Sequence, residues 1–383
     1  MKTGIDSIAF STSKYSLNLD VLAKKRNVAR EKYYLGIGQT KMSIFPPNED
    51  IVTVAIDAAR KVLAQIEDKN DVDMLIFATE SSFDLSKSAG IYVHKFLKLR
   101  DDCRVFDVKQ ACYSAAAALQ LARFYVKDNP NSKVLVIGSD IIRYLPETSG
   151  EPTQGGAAVA FIVSKNPRIL EVEPCFGVHT VDVADFWRPV CLKEALFDGK
   201  LSAYNYLRSL DICTKRYFEK SGFSSDDIDH VCFHAPFGKM ARKANNQSFN
   251  SKTIEETLVY NSLIGNSCSA SLFISFISLA DNFGGDLTGS RIGFFSYGSG
   301  SVAEFFCGVI SENYKKMLTA DDNKIMLEER EDISFEEYES LYKEEFCDFR
   351  AYKNIGSVTL SGVDNNKRVY GNIEKCENSF AGF

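Results

Sequence analysis

The stretch "FDVKQACYSAAAALQLA", residues 106–122, decides how the chain is read. The apolar run "CRVFDV" (103–108) reads as a short strand, and the residues from Cys112 onward read as a helix with four consecutive alanines in its first turns. Small side chains let a helix pack closely, so one reading is a buried helix that happens to begin with a cysteine. The other is a nucleophile, because a thiol at a helix N-terminus feels the positive end of the helix dipole and is pushed towards thiolate. The rest of the chain has to choose between them.

Outward from that helix, strands and helices alternate. "IVTVAIDAARKVLAQI" (51–66) has a helical period and leads into "DVDMLIFATES" (71–81), whose apolar centre predicts a buried strand. "SAGIYVHKFLKL" (88–99) is helical, and "SKVLVIGSD" (132–140) and "GGAAVAFIVSK" (155–165) are further strands. The second half repeats the order. A helix over 202–222 leads to the strand "DIDHVCFHAPF" (227–237), two helical stretches, the apolar helix "SCSASLFISFISLADN" (267–282) and strands at 291–297 and 301–310. This α/β alternation predicts parallel sheets covered by helices, in two duplicated halves placed face to face. The halves divide as 1–165 and 166–383, with an appended helix and strand outside the core from about 315. Ligands in open α/β sheets bind beyond the carboxyl ends of strands, where Glu80 and His234 both fall. Face-to-face halves would bring them together with Cys112.

Composition bounds the function. The chain has 383 residues, 45% hydrophobic and 25% charged, with a net charge of −6, which argues against nucleic acid as a main partner. "MKTGIDSIAF" lacks a basic region followed by an apolar signal core, and no run approaches a membrane span, so no membrane association is expected. Ten scattered cysteines without a CxxC pair predict free thiols in a reducing cytoplasm. No histidine or cysteine pair has metal-ligand spacing, so no metal is expected.

Of four histidines, His94 on a helix and His179 in a loop-like stretch read as structural, and His230 as a surface residue starting a strand. His234 follows an apolar run and precedes Ala-Pro-Phe, where an imidazole can take the proton of a nearby thiol or stabilise its anion. Glu80 is either paired structurally or held at raised pKa for proton transfer. Asn266, in "LIGNSCSAS", is a turn former by type. "FFSYGSGSV" (294–302) is a Gly-rich loop without GxGxxG order, which removes a dinucleotide fold; its reading is a hairpin or a backbone donor to a thioester oxygen. Lys239, Arg242 and Lys243 recur at helical spacing, as a solvated face or a cationic rim for phosphates.

Taken together, the blocks "LGIGQTKM" (35–42), "IFATES" (76–81), "FDVKQACYSA" (106–115), "GEPTQGGAAVAF" (150–161), "DFWRP" (185–189), "FDGKLS" (197–202), "FHAPFGKM" (233–240), "IGNSCSASL" (264–272) and "FFSYGSGSVAEF" (294–305) resemble, in order and across the chain, the 3-hydroxy-3-methylglutaryl-coenzyme A synthases, a branch of the thiolase-like superfamily. "ISFEEYE" in the tail resembles them too. The resemblance implies a thiolase-like αβαβα core of two βαβαβ halves. It also implies an acyltransferase that uses acetyl-CoA and acetoacetyl-CoA, with no further cofactor, in the mevalonate pathway. By it, Cys112 carries the acetyl group, Glu80 removes the methyl proton and His234 polarises the acetoacetyl ketone. Asn266 is then an acetoacetyl ligand, and Ser299 with the Cys112 backbone holds developing oxyanions. Thr153 and Ser202 match substrate-contacting positions, Lys239 and Lys243 positions that contact coenzyme A, and Tyr144, Asp185 and Arg188 lie in supporting blocks. A homodimer is implied, associating through a strand such as 103–108.

Two departures stand out. The segment between "GKMARKANNQ" and "LVYNSLIGN" is about ten residues shorter than in the family, and "KEALFDGKLS" lacks a Tyr-Pro pair before Asp-Gly. Both bear on how the acyl group or its carrier enters. The alternative is the related class that branches polyketides held on an acyl carrier protein with the same Glu, Cys and His, although "GIGQ" and "DFWRP" favour the mevalonate type. A thiolase would need a second active-site cysteine in the C-terminal half, and Cys307 lies too far along its strand to serve. A chalcone-type condensing enzyme would not need Glu80, and a non-enzymatic scaffold would be expected to have lost one of Glu80, Cys112 and His234.

Overall fold

The nucleophile helix forms at Ser114–Asp128 and lies at the centre of the molecule, in a computed structural model that describes residues 1–192, 194–343 and 356–372. Ala115, Ala116, Ala118, Leu119 and Ala122 are buried. They share one apolar cluster with Ile76, Val136 and Phe161 of the first half, and with Phe273, Phe276, Phe294 and Phe306 of the second. The second-half helix in this layer is Ser271–Asn282. Approach between the halves is tight: a Cβ on Gly138 would lie 3.1 Å from Ala115 Cβ and 3.3 Å from the Ser269 carbonyl. A run of alanines is what this layer demands. Larger side chains there would overpack it, at a cost of about 1–3 kcal/mol each.

Sheets and outer helices complete the layering. From its edge inward, the first half orders its strands Arg104–Val108, Val72–Ala78, Lys133–Ile142, Gly155–Lys165 and Thr3–Ser11. The second half runs His230–Phe233, Arg291–Gly298, Val302–Ile310 and Leu170–Thr180. Corresponding strands follow the same order, except that no counterpart of Arg104–Val108 occurs among the described residues of the second half. A brief antiparallel contact, Gly4 with Glu171 and Ile5 with Leu170, joins the halves into one nine-stranded sheet. Helices Ile51–Leu63 and Ala89–Leu97 cover the outer face of the first half. Gly199–Ser221 and Gly238–Ser248 cover that of the second. This is the thiolase-like αβαβα arrangement.

The sheets are mixed rather than parallel. Within the nine-stranded sheet, only Val72–Ala78 with its two neighbours, and His230–Phe233 with Arg291–Gly298, pair in parallel. Parallel neighbours need a crossover, usually a helix, and none separates Lys133–Ile142 from Gly155–Lys165 or Arg291–Gly298 from Val302–Ile310. The tail also differs from the expected helix and strand. It forms helices Ala320–Glu328 and Phe335–Lys343 and a hairpin of Val358–Asp364 with Lys367–Asn372. It is tied in by Tyr338, whose hydroxyl donates to Glu151 at 3.1 Å and accepts from Gln154 at 2.6 Å.

Candidate active site

Two strand ends and two helix starts meet where the halves touch. Beyond Val72–Ala78, the Thr79 hydroxyl (2.8 Å), the Glu80 N–H (2.8 Å), and the Ser81 N–H (3.0 Å) and hydroxyl (2.8 Å) all donate to one oxygen of Asp140. Its other oxygen accepts from the Ser269 N–H (3.0 Å) and hydroxyl (2.5 Å). A single buried carboxylate thus clamps the Glu80 loop of one half to the Cys268–Ala270 turn of the other. Arg188 donates to the Glu80 carbonyl and lies 3.5 Å from its carboxylate. Against Cys112, the Cys268 thiol donates to the sulfur at 3.0 Å. Cys268 is itself held by its N–H, which donates to the Asn266 side chain at 2.9 Å. His234 follows its strand directly; its N–H donates to Phe295 at 2.8 Å and its carbonyl accepts from the Tyr206 hydroxyl at 2.6 Å. Its ring hydrogen-bonds Cys112, and its Nδ1 is buried with no partner among the described residues.

The electrostatics separate these groups. The hydrogen bond from Cys268, aided by the charge and hydrogen bond of His234, brings the Cys112 thiol down to about 6 against the opposing effect of burial. Cys268 is pushed well above the ordinary thiol range by burial and by Cys112. Burial first, then the Asp140 charge, lifts Glu80 to about 8, with Arg188 opposing and the Cys112 charge adding to the rise. The site therefore holds a thiolate, a second thiol that stays protonated and a carboxyl poised between its two forms. Glu80, Asp140 and Cys268 also bring one possible metal-ligand atom each within 4.8 Å of one another, a juxtaposition that spacing along the chain does not reveal. Both Asp140 oxygens are already engaged by hydrogen bonds, which makes it a clamp. On the Glu80 side a cavity of ≈ 450 Å³ is lined by Ser81, Phe83, Lys109 and Arg188.

A nucleophilic thiolate beside a buried carboxyl and an imidazole suits acyl transfer followed by carbanion chemistry. The profile of the hydroxymethylglutaryl-coenzyme A synthase N-terminal domain matches residues 2–167, and that of the C-terminal domain matches 172–247 and 243–360. The chain belongs to the hydroxymethylglutaryl-coenzyme A synthase family. It is 37% identical to the Hydroxymethylglutaryl-CoA synthase of Enterococcus faecalis, covering 97% of this chain and 100% of that one. It is 32% identical to the polyketide biosynthesis 3-hydroxy-3-methylglutaryl-ACP synthase PksG of Bacillus subtilis, covering 81% and 80%. A crystal structure of HMG-CoA synthase complexed with CoA superposes with a TM-score of 0.94 at 36% identity, covering 97% and 100%. Like its family, the chain is an acyl-transferring condensing enzyme.

Within this synthase fold, most residues singled out from the sequence converge. Tyr144 is buried, with a hydrogen bond to Asn266, and the Asn266 N–H donates to the Thr153 carbonyl at 3.0 Å. The Ser299 carbonyl accepts from Gln110 at 3.1 Å, bringing the Gly-rich hairpin against the nucleophile turn. Gly298 allows that approach, since a Cβ there would lie 2.4 Å from the Gln110 carbonyl. Asp185 holds the same hairpin by accepting from Tyr297 (2.7 Å) and the Gly300 N–H (3.0 Å). Ser202 sits in the first turn of its helix, one turn before Tyr206, and its side chain forms no hydrogen bond to the cluster among the described residues. Lys239 and Lys243 are exposed on Gly238–Ser248, but Arg242 between them pairs with Glu255 at 2.7 Å, so among the described residues two cations of that rim, rather than three, are without an ion pair.

Three readings need correction. His230 is buried and bonded to Thr253 at 2.8 Å, so it is not a surface residue. His179 lies in the strand Leu170–Thr180, not in a loop. A second C-terminal-half cysteine does stand at the nucleophile, and it is Cys268. Asp140 and Tyr206 were missed as well. Asp140 had a visible signal, a carboxylate closing the apolar run "VLVIGSD". Cys268 had none, because it reads as the start of an apolar helix.

Proposed function

We propose that this enzyme condenses acetyl-CoA with acetoacetyl-CoA and water to give 3-hydroxy-3-methylglutaryl-CoA and CoA, through an acetyl-Cys112 intermediate. Its setting would be the mevalonate pathway in a reducing cytoplasm; the eight described cysteines are all free. The observation that carries the reading is the convergence of a depressed thiol, a raised carboxyl and an imidazole at one junction of two half-molecules. Cys112 attacks the acetyl carbonyl, and the departing CoA thiolate takes up the proton that His234 received from the thiol. Glu80 then draws a proton from the methyl group. Acylation removes the Cys112 charge, one of the causes holding Glu80 up, so the carboxyl ionises more readily once the acetyl group is in place. The carbanion adds to the ketone of acetoacetyl-CoA, polarised by the His234 N–H and flanked by Asn266; the alkoxide that forms takes the imidazole proton, and the proton that Glu80 drew from the methyl group restores it. Water then cleaves the Cys112 thioester. Thiol, carboxyl and imidazole supply every proton transfer, so the scheme balances with no cofactor beyond the two thioesters.

Dimerisation belongs to the same reading. The edge strand Arg104–Val108 leaves Phe106 exposed, and Leu121 and Phe124 on the adjacent helix are 46% and 55% exposed. A second copy pairing edge to edge about a two-fold axis would cover both features.

The test compares acetoacetyl-CoA with acetoacetyl-acyl carrier protein as acceptor for acetyl-loaded enzyme. Free CoA thioesters are expected to react at least as efficiently. A strong preference for the carrier-bound group would move the chain to the polyketide-branching alternative; it would then act on a carrier-bound acyl group like PksG, named a 3-hydroxy-3-methylglutaryl-ACP synthase of polyketide biosynthesis, and like the curacin biosynthetic pathway HMG synthase solved in complex with an acetyl donor-ACP (TM-score 0.89, 29% identity, covering 97% of this chain and 100% of that one).

A further inference from the structure

We propose that Cys112 and Cys268 form a reversible oxidation site, at which a hydroperoxide oxidises the Cys112 sulfur and Cys268 resolves the product as a Cys112–Cys268 disulfide. The inference rests on the sulfur geometry and stands apart from the acyl-transfer reading. The two sulfurs lie 3.0 Å apart. A disulfide is about 2.05 Å long, so they need close by only about 1 Å. Both cysteines occupy turns that lead into the central helices, outside any sheet ladder. The Cys268 side is anchored by Asn266 and, through Ser269, by Asp140, which keeps its thiol aimed at Cys112.

Access and reactivity assign different roles to the pair. Cys268 is fully buried in a small apolar cluster with Ile142, Tyr144 and Ala195, whereas Cys112 is only half-buried at its margin. An oxidant therefore meets Cys112 first. Cys112 is also the thiol held low, and thiolates are what peroxides oxidise. Among the other buried thiols described, burial raises Cys103, Cys213 and Cys307 to about 11, 12 and 12, and lifts Cys232 further still. The chemistry balances in two steps. The Cys112 thiolate attacks the terminal peroxide oxygen, the O–O bond breaks, and the departing hydroxide (alkoxide, for an organic hydroperoxide) takes a proton and leaves as water or alcohol; sulfur is oxidised to the sulfenic acid as peroxide is reduced. The Cys268 thiol then attacks that sulfur, the S–S bond forms, the S–O bond breaks, and its oxygen leaves as water with the Cys268 proton. A dithiol reverses the product by exchange. While it lasts, the disulfide keeps the nucleophile from acyl transfer and from irreversible oxidation to sulfinate.

The test treats the full chain with at least a twofold molar excess of hydrogen peroxide, enough to carry an unresolved thiol to the sulfinate, and reads intact mass, linked peptides and iodoacetamide labelling of Cys112. The expected result is a loss of two hydrogens, a Cys112–Cys268 linked peptide, and loss of Cys112 labelling that dithiothreitol restores. In Cys268→Ser and Cys268→Ala, Cys112 should instead gain two oxygens, and the labelling recovered by dithiothreitol should fall at least severalfold. If neither variant folds, the linked peptide in the unaltered protein decides. Oxidation of Cys112 without that peptide, or variants that recover as fully as the parent, would overturn the proposal.

Discussion

The turns that open the two central helices occupy corresponding places in the two halves, and each carries a cysteine. Cys112 precedes Ser114–Asp128, and Cys268 precedes Ser271–Asn282. Both turns also use a left-handed residue, Ala111 (φ 42°) in one and Cys268 itself (φ 47°) in the other. Yet one thiol is depressed to about 6 and the other is raised far above its ordinary range. Position at a helix start cannot explain that difference, since both have it. What differs is the company. Cys112 receives two hydrogen bonds, from Cys268 and from the imidazole that ends the second half's strand, while Cys268 is a donor enclosed by apolar side chains and faces Asp140 and Glu80. The lesson is that the helix dipole alone does not make a nucleophile here; donors from the opposite half do. The strand ends repeat the pattern, with Glu80 in the first half answered by His234 in the second.

The largest effect should come from removing the depressed thiol. Cys112→Ala should abolish the acetyl adduct formed with acetyl-CoA alone, as read by intact-protein mass spectrometry, and lower condensation on the order of 10⁴-fold or more. Cys268→Ala should still form the adduct. The reverse pattern would exchange the roles of the two turns.

That asymmetry also explains what the sequence could and could not show. Strands such as 132–140 and 155–165 were legible because each is an apolar run bounded by turn residues, and Cys112 and His234 because each ends or begins such an element. The mixed direction of the sheets was not legible, since pairing is set by connections that the periodicity of a single strand does not record. Cys268 lies 156 residues from Cys112 in the chain, and only the folding of one half onto the other makes the two neighbours. The Asp140 clamp was hidden for the same reason: its partners come from residues 79–81 and from Ser269.

Next in size is Glu80, the first half's strand-end group. Glu80→Gln should keep acetylation of Cys112 and lower condensation by about 10²–10⁴-fold. It should also change stability with a definite sign. Burial lifts the Glu80 carboxyl to about 8, while in the unfolded chain it titrates near its ordinary value. The protonated form therefore favours the folded state at low pH, and that advantage is lost as pH rises towards 8. Glutamine has no such loss, so the melting temperature of the variant relative to the parent should climb between pH 5 and pH 8. A difference that stays flat across that window would mean that Glu80 is already ionised in the native protein at pH 5.

A smaller change sharpens the comparison between the thiols. Cys268→Ala removes the thiol hydrogen bond that does most to lower the Cys112 pKa while leaving His234 in place. The pH midpoint for alkylation of Cys112 should move up from about 6, with a severalfold slower rate at pH 6 and a gap to the parent that narrows as pH rises. An unmoved midpoint would place the whole effect on the imidazole.

The smallest effect lies outside the cluster, on the helices that follow the two strand ends. In the first half, Ala89–Leu97 is covered, with Tyr92 against Tyr370 of the tail hairpin at 5.1 Å between ring centres. In the second, Gly238–Ser248 presents Lys239 and Lys243 to solvent, and neither forms an ion pair among the described residues. If coenzyme A approaches from the His234 side, those two ammonium groups are the point charges available to its phosphates. Exposed charge pairs contribute about 0.2–1 kcal/mol, so Lys239→Ala or Lys243→Ala should each raise KM for CoA thioesters by a factor of about 1.4–5 and leave kcat nearly unchanged. Added salt should shrink the effect, because exposed charges are screened over about 10 Å at 0.1 M. A fall in kcat would instead place the lysines in the chemistry. A KM that ignores both substitutions and salt would put the coenzyme on the other side, where Glu80 faces the cavity lined by Lys109 and Arg188.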